Sequence, residues 1–330
     1  MSPTSNSVSK ITPQLSLRLL NYARSDVGDW QYLLNRARAA DEAGIDRLIV
    51  SDHIVFGENL EAYGRPDLGG IHGGKQPTGS DGHWLEPLTV LAVIAGITTR
   101  VRLSTGILIA ALRRPAVLAK TVATLDVLSG GRVDLGVGIG WQREEYEACG
   151  LDFEKRGYLL DNTLAVCQTL WREGPVSFES HELNFRSLHC APRPVQFGGV
   201  PIWLSGTLNH RVLNRLTRFG SGWIPWGSDA EHLVDGVAKV RQALASAGRE
   251  TDGFQIRGNL PMKWNVRDRM TIGRSMSDVP RLVEAGITDF CLTYPLPEIP
   301  QASVSDDPSA ELDLLSTIVS AFRKAVGRTA

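Results

Sequence analysis

The sequence predicts an α/β protein, a (β/α)8 barrel of the TIM type with long insertions after strands two and four. Short apolar runs alternate with amphipathic helical patterns along the whole chain. That strict order indicates a parallel sheet. Eight strand patterns in a chain of 330 residues fit a barrel of about 250 residues with added insertions. A doubly wound sheet is the alternative that the same order allows.

The first half of the chain supplies four strand patterns and the clearest helix signals. A helix over 29–43 carries its apolar residues on one face and ends at Gly44. Another over 115–128 has Pro115 in its first turn, where a missing N–H is tolerated. Residues 142–171 have a helical pattern without a strand. The predicted strands are 15–19, 47–50, 101–107 and 132–138.

The second half repeats the alternation and completes the barrel. Strands are predicted over 201–205, 222–226, 254–260 and 289–294, and helices near 208–219, 229–247, 277–285 and 310–326. We therefore treat residues 11–330 as one barrel domain. Residues 1–10 are polar and lack an apolar pattern, so we expect a disordered tail there.

Two segments do not fit the simple repeat. Residues 56–83 contain eight glycines without periodicity, and residues 174–200 are polar, contain proline and are strand-like in places. Loops of this length in a compact domain are commonly lids or binding loops, although tolerated surface decoration is the alternative. The first segment follows strand two and therefore belongs to the catalytic face of a barrel.

Composition excludes several classes of function. The net charge of −1 is spread without a basic run, which argues against nucleic-acid and membrane-surface partners. Four cysteines without a CxxC pair indicate reduced thiols rather than a zinc site or disulfide framework. No apolar run is long enough to span a membrane, and the N-terminus lacks a signal core. We expect a cytoplasmic protein that acts on a small molecule.

The stretch DLGVGIGW over 134–141 resembles a nucleotide-binding loop at first sight. A dinucleotide fingerprint needs G-x-G-x-x-G and an acidic residue after a following strand, and this chain has neither. As a barrel strand, Gly136, Gly138 and Gly140 share one face, where small residues let a backbone or a flat ligand approach. Relief of crowding is the plainer alternative. We expect a side chain at Gly138 to impair cofactor binding more than folding.

Longer motifs resemble the bacterial luciferase-like superfamily, and most of all its branch that uses the deazaflavin coenzyme F420. The run over 100–141, RVRLSTGILIAALRRPAVLAKTVATLDVLSGGRVDLGVGIGW, carries most of the resemblance. Further motifs are SDHIV (51–55), WLEPLTVLA (84–92), PIWLSGT (201–207) and GSGWIPW (220–226). The resemblance implies a barrel that binds a flavin or deazaflavin at the carboxyl ends of its strands. A homodimer is common in that family, although no residue here establishes one.

The resemblance assigns the ring-binding residues one at a time. Asp52 and His53 correspond to a pair beside the ring system, and a histidine can exchange a proton in hydride-transfer chemistry. A structural histidine held by Asp52 is the alternative. Gly106 and Ile107 correspond to a non-proline cis peptide that forms a bulge behind the ring. Gly138 and Gly140 are expected near the same cleft.

The remaining assignments include departures from the family pattern. Trp141 replaces a glutamate that acts as an acid in sugar-phosphate dehydrogenases, which argues against that substrate class and indicates a pocket wall. Glu144 and Glu145 are expected on a helix surface. Gly206 and Thr207 are expected at a helix start that contacts the cofactor's phosphate tail, with Thr207 adding its hydroxyl or serving as N-cap. Arg113, Arg114, Lys263 and Arg267 are unranked candidates for the acidic tail of F420.

The resemblance predicts an oxidoreductase that transfers a hydride between F420 and a small organic substrate. Asp52-His53 favours this activity over an FMN-dependent monooxygenase that uses oxygen. An F420 reductase or a flavin reductase would be the protein partner. The non-enzymatic alternative is a catalytically silent flavin-binding barrel, although the intact strand-end motifs disfavour it. A metal-dependent hydrolase is disfavoured because strand one has no histidine, which leaves His72 and His83 as weak candidate ligands.

Overall fold

Eight parallel strands close into a barrel in a computed structural model that describes residues 11–263, 271–293 and 308–328. The predicted tail (1–10) and residue 294 lie outside the described residues. Around the barrel, strand β1 pairs with β8 and β2, and the β4–β5 pairing joins the two halves of the sheet. The barrel strands are β1 Gln14–Arg18, β2 Arg47–Val50, β3 Arg102–Thr105, β4 Val133–Val137, β5 Ile202–Gly206, β6 Gly222–Pro225, β7 Gln255–Leu260 and β8 Asp289–Thr293.

Helices surround the barrel, and the longer ones bury apolar side chains against it. The helices are α1 Gln31–Ala43, α2 Pro87–Ile97, α3 Pro115–Leu128, α4 Arg143–Ala148, α5 Arg156–Leu170, α6 His210–Phe219, α7 Ser228–Glu231, α8 Leu233–Ser246, α9 Ile272–Ser275, α10 Val279–Ala285 and α11 Pro308–Ala325. The predicted bounds of β2 and α3 are correct to the residue. Barrel closure rules out the doubly wound alternative. No helix in the described ranges is both long and apolar enough to cross a membrane.

Both long segments between the regular elements carry structure of their own. The segment after β2 contains two 3-10 helices, Leu60–Gly64 and Pro66–Leu68. It ends in a short strand, His83–Trp84, that pairs antiparallel with Tyr22–Ala23. Between α5 and β5, residues 176–188 form an antiparallel hairpin. The first segment therefore lies over the carboxyl ends of the barrel strands.

The amino-terminal half of the barrel interior is filled by an ion network rather than by apolar side chains alone. Arg47 pairs with Asp134 and Asp289, and Arg257 pairs with Asp289 at 2.5 Å. Burial favours the neutral acid, but the Arg47 and Arg257 guanidiniums hold the pKa of Asp289 below its usual range. Both guanidiniums also lie over the Trp203 ring, at 4.7 and 4.9 Å from its centroid. This polar layer closes one end of the barrel and leaves the other for a site.

Candidate functional site

The predicted site residues lie at the ends of four strands, β2 to β5, which are neighbours in the barrel sheet. Asp52 and His53 follow β2, and the Gly106-Ile107 pair follows β3. Gly138 follows β4, and Gly206 is the last residue of β5. Because parallel strands end on the same side of the barrel, these groups lie at one mouth, where barrel enzymes place their active sites.

His53 is held from one side by a buried carboxylate. Its Nδ1 atom lies 3.2 Å from Oε2 of Glu145, whose side chain is completely buried. The prediction that Glu145 lies on a helix surface is therefore wrong, and so is the alternative that Asp52 holds the ring. The carboxyl group reaches His53 because α4 begins directly after the β4 loop and points its buried side toward β2.

Side chains at the start of α4 also hold the backbone of the residues that follow His53. Oε1 of Glu145 accepts the Ile54 backbone N–H at 2.8 Å. Gln142, also buried, donates from Nε2 to the Val55 carbonyl at 2.7 Å and accepts the Gly57 N–H at 3.1 Å. Sequence reasoning missed both residues, although their i, i+3 spacing on a short helix places them on one face. They make the histidine part of a fixed loop rather than a mobile side chain.

Asp52 points away from the ring of His53 and ties β2 to the segment after β3. Its carboxylate forms a two-pronged ion pair with Arg113 and accepts the Ile109 N–H at 2.8 Å. Burial raises the pKa of Asp52, an effect that the Arg113 guanidinium opposes. Arg113 also contacts Glu86 at 3.1 Å, so its charge is already paired. Direct contact between Asp52 and a cofactor stays a prediction.

The peptide bond between Gly106 and Ile107 is cis, as the resemblance implied. Arg18, at the end of β1, donates from Nη1 to the Gly106 carbonyl at 2.9 Å and to the Ser51 hydroxyl at 3.0 Å. Gly106 N in turn donates to the Val50 carbonyl at 2.7 Å. The bulge is therefore fastened to β1 and β2 on one side, with its position set by side-chain and backbone hydrogen bonds.

The glycines of DLGVGIGW make room for that bulge. A Cβ atom built on Gly136 would lie 2.0 Å from the Thr105 carbonyl oxygen, and one on Gly138 would lie 2.9 Å from Ile107 Cδ1. Gly140 has φ +70°, which favours glycine. The approaching group at Gly136 is thus a neighbouring backbone, and at Gly138 it is the bulge side chain. The nucleotide-loop interpretation is excluded by the barrel itself.

Aromatic side chains enclose His53 on its exposed side. The rings of Phe56 and Trp84 lie 4.6 and 4.7 Å from the imidazole, and Trp141 lies 5.8 Å away, edge-on. Trp141 is 5% exposed and also meets Tyr63 edge-on at 5.4 Å. The indole is therefore a buried wall between the histidine and the segment 56–83 rather than an exposed rim.

The segment 56–83 is anchored across the mouth. Trp226, directly after β6, donates from its indole nitrogen to the Gly69 carbonyl at 3.1 Å and lies 6.2 Å from the Tyr63 ring. Burial raises the pKa of Tyr63, and the nearby Arg18 guanidinium opposes that shift. The segment thus brings the Tyr63 side chain close to the Arg18 guanidinium at the base of the site.

The loop after β5 differs from the expected helix start. Helix α6 begins at His210 and its N-cap is Asn209, whose side chain accepts from two backbone N–H groups. The prediction that Thr207 is the N-cap is wrong; its hydroxyl donates to the Trp226 carbonyl at 2.9 Å. Gly206 has φ +153°, a conformation that side chains other than glycine rarely adopt. Contact of Gly206 and Thr207 with a phosphate stays a prediction.

The other tail and metal candidates are distributed over the surface. Arg114 is exposed, whereas Lys263 pairs with Asp278 at 3.1 Å. Arg267 lies outside the described residues. His72 and His83 are both exposed, and within residues 11–263, 271–293 and 308–328 no cluster of three metal-ligating side chains occurs.

The mouth suits a planar conjugated ring with polar edges. Aromatic walls and the Ile107 side chain supply apolar faces, while His53 and the Arg18 guanidinium supply groups that can bond a heterocycle's edge. Within the described residues, the acids nearest these groups are already engaged by Arg113 or by N–H donors. The residues present therefore fit a flavin-type cofactor.

A closed parallel barrel with its candidate site at the carboxyl ends of the strands is the architecture of the barrel enzymes. The sequence profile of the luciferase-like monooxygenase family matches residues 14–265. The chain belongs to that family.

Three relatives each match half of this chain or more. Pyrimidine monooxygenase RutA of Allorhizobium ampelinum is 29% identical over 53% of this chain and 49% of its own length. A phthiodiolone/phenolphthiodiolone dimycocerosates ketoreductase of Mycobacterium tuberculosis is 34% identical over 50% of this chain and 44% of its own. An uncharacterised protein of the same species is 26% identical over 82% of this chain and 87% of its own.

Solved structures share the fold at low identity. An F420-dependent secondary alcohol dehydrogenase in complex with an F420-acetone adduct has a TM-score of 0.71 at 17% identity, covering 95% of this chain and 100% of that one. An FMN complex of the oxygenating constituent of 3,6-diketocamphane monooxygenase from Pseudomonas putida has a TM-score of 0.69 at 14% identity, covering 93% and 97%. The barrel is therefore shared by a structural neighbour that depends on F420 and by one that binds FMN.

Proposed function

We propose that this protein is an F420-dependent oxidoreductase that exchanges a hydride with a small organic substrate, with His53 as its acid/base residue. One observation carries the proposal: Glu145 holds Nδ1 at 3.2 Å, whereas no described residue hydrogen-bonds Nε2. The ring therefore presents one nitrogen toward the aromatic enclosure at the barrel mouth. When bound, the deazaflavin supplies the hydride donor or acceptor.

His53 would handle the proton that accompanies the hydride. When an alcohol is oxidised, its carbon loses a hydride and its hydroxyl loses a proton, which Nε2 accepts. In the reverse direction, Nε2 returns that proton to the oxygen of the carbonyl being reduced. An imidazole can perform both tasks at physiological pH, and general acid–base catalysis of this kind contributes about 10²–10⁴-fold to the rate.

The residues around the histidine would hold the cofactor. The bulge at Gly106 and Ile107 would lie behind the ring, with Gly138 and Gly140 beside it. Gly206, Thr207 and the basic candidates would face its tail. Asp52 would act through the bulge, because its carboxylate fixes the Ile109 N–H at 2.8 Å.

The enclosure favours a substrate with an apolar body. Phe56, Tyr63 and Trp84 come from the segment after β2, and Trp141 comes from the loop after β4. The rings of Phe56, Trp84 and Trp141 lie 4.6 to 5.8 Å from the imidazole, and Tyr63 meets Trp141 edge-on. Aromatic walls of this kind bind flat or aliphatic groups by burial. Trp141 would contact the substrate without taking part in proton transfer.

An FMN-dependent monooxygenase is the second candidate. It is supported by the similarity to pyrimidine monooxygenase RutA and by the FMN-bound barrel among the structural neighbours. That activity would need a flavin reductase as partner, whereas the first candidate would need an F420 reductase. Either would operate in the cytoplasm, in keeping with four cysteines that are all free thiols.

Parallel titrations of the purified apoprotein with F420 and FMN test the proposal. We expect micromolar binding of F420 and hydride exchange with a panel of secondary alcohols and ketones. His53→Asn should retain binding within a few fold and lose about 10²-fold or more in kcat. The matched control is His83→Asn, at an exposed histidine of the short ribbon. Binding of FMN alone would replace the proposal with the second candidate, and binding of neither would overturn both.

A further inference from the structure

We infer that Glu145 is a positioning residue that fixes the tautomer of His53, with the proton on Nδ1 and the lone pair on Nε2. The inference rests on the proposed function only for its catalytic consequence. It assigns a task to a buried acid that reaches the ring from a different strand–helix unit, across 92 positions in the chain.

The geometry of the carboxylate supports this assignment. Its two oxygens serve two consecutive residues: Oε1 accepts the Ile54 N–H at 2.8 Å, and Oε2 lies 3.2 Å from Nδ1 of His53. A carboxylate is only an acceptor, so Nδ1 must carry the hydrogen. A buried acceptor opposite one ring nitrogen is the usual device by which proteins select a histidine tautomer.

Gln142 shares with Glu145 the task of holding the loop that follows His53. Gln142 already binds the Val55 carbonyl at 2.7 Å and the Gly57 N–H at 3.1 Å. It is one helical turn from Glu145 on the same buried face and does not hydrogen-bond the imidazole. The anchoring of the loop by Gln142 can therefore be removed while the contact between Glu145 and the ring is kept.

Glu145→Gln preserves the shape of the side chain and reverses its hydrogen-bonding polarity at the ring. Its amide oxygen can still accept the Ile54 N–H, which leaves the amide NH2 facing Nδ1. The opposite amide orientation would set NH2 against the backbone N–H, and two buried donors would meet. His53 must then accept through Nδ1 and carry its proton on Nε2, the wrong nitrogen for accepting a substrate proton.

Nitrogen NMR of the apoprotein shows which ring nitrogen of His53 carries the hydrogen, without any cofactor. Histidine is labelled with 15N, and the neutral rings are observed at pH 8.5 in long-range proton–nitrogen spectra, about two units above an ordinary histidine pKa. The chain has seven histidines, so His53→Asn identifies the signals of this ring by difference. We expect Nδ1–H in the wild type and in Gln142→Ala, and Nε2–H in Glu145→Gln.

Two results would overturn the inference: an Nε2–H wild-type ring, or an unchanged tautomer in Glu145→Gln. The wild-type spectrum alone can do so, even if a variant fails to fold. With the cofactor that binds, Glu145→Gln should lose about 10²-fold in kcat at a KM within a few fold of the wild type. Absence of turnover with F420 and FMN would refute the proposed function and leave the NMR result to decide the tautomer.

Discussion

Alanine substitutions at Gly136 in β4 and at Gly138 just after it should separate barrel packing from cofactor binding. At Gly136 the added Cβ would lie 2.0 Å from the Thr105 carbonyl oxygen, and real Cβ contacts are essentially never below 3.0 Å. The strands would have to separate by about 1 Å, and a backbone carbonyl cannot rotate aside as a side chain can. The same region is locked by the Thr105 hydroxyl, which donates to the Gly136 carbonyl at 2.6 Å.

The expected loss in the free energy of unfolding depends on which atom the added methyl group contacts. For Gly136→Ala we expect a loss of about 3 kcal/mol or more in the free energy of unfolding, the upper end of overpacking costs, and a fall in Tm of about 4 °C or more for a chain of this length. At Gly138 the nearest atom is Ile107 Cδ1 at 2.9 Å, the end of a flexible side chain. We therefore expect Gly138→Ala to cost about 1 kcal/mol in stability.

Gly138→Ala, the milder substitution for stability, should be the more harmful one for cofactor affinity. Gly138→Ala moves the Ile107 side chain, which belongs to the bulge proposed to lie behind the ring. We expect about tenfold weaker binding, equivalent to about 1.4 kcal/mol. Thermal unfolding of the apoproteins at one scan rate and titration of the folded variants with cofactor measure the two effects. Equal stability loss in both variants, or full affinity in Gly138→Ala, would refute this reasoning.

Three further predictions concern buried charges and thiols. Asp52→Asn breaks the buried ion pair with Arg113, which keeps its contact with Glu86, so we expect a loss of about 1–3 kcal/mol in denaturant unfolding; an unchanged free energy of unfolding would contradict the role of this pair. The Arg47 and Arg257 guanidiniums hold the pKa of Asp289 below the ordinary aspartate value of 3.8, so the contribution of its charge to stability is complete above that pH and disappears as the pH falls through the lower folded-state pKa. The stability difference between wild type and Asp289→Asn should therefore be constant above about pH 4 and shrink below it, as acid titrations of unfolding would measure. Burial raises the pKa of Cys167 to about 12, so iodoacetamide at pH 8 should alkylate the half-buried Cys190 first, and peptide mass spectrometry giving equal rates would contradict the structure.

Local pattern predicted the barrel because each strand and helix carries its own periodicity. The bounds of β2 and α3 are correct since both are flanked by unambiguous signals, such as Pro115 at the first turn of α3. The cis peptide at Gly106-Ile107 came from the resemblance alone. Nothing in the pattern of a single strand would have indicated it.

Long-range partners could not be predicted in the same way. The polar helical pattern that follows Trp141 predicts Glu145 on a helix surface, and only the folded barrel brings its carboxylate against His53. Shared parity correctly indicated close approach at Gly136, but the approaching group there is the Thr105 backbone. Thr207 and Asn209 are both acceptable N-caps, and the choice depends on the hydroxyl's bond to Trp226.

The way the strand ends are fastened explains how the segment 56–83 can vary without disturbing the histidine. The bulge is held by Arg18 and Asp52. The start of the segment is held by Gln142, which precedes α4, and by Glu145 within it. None of these anchors belongs to the segment itself. Beyond residue 57, the segment adds aromatic walls and reaches the far side of the mouth through Trp226. Substitutions there can therefore reshape the substrate enclosure while the orientation of the His53 ring, and the nitrogen it presents, stay the same.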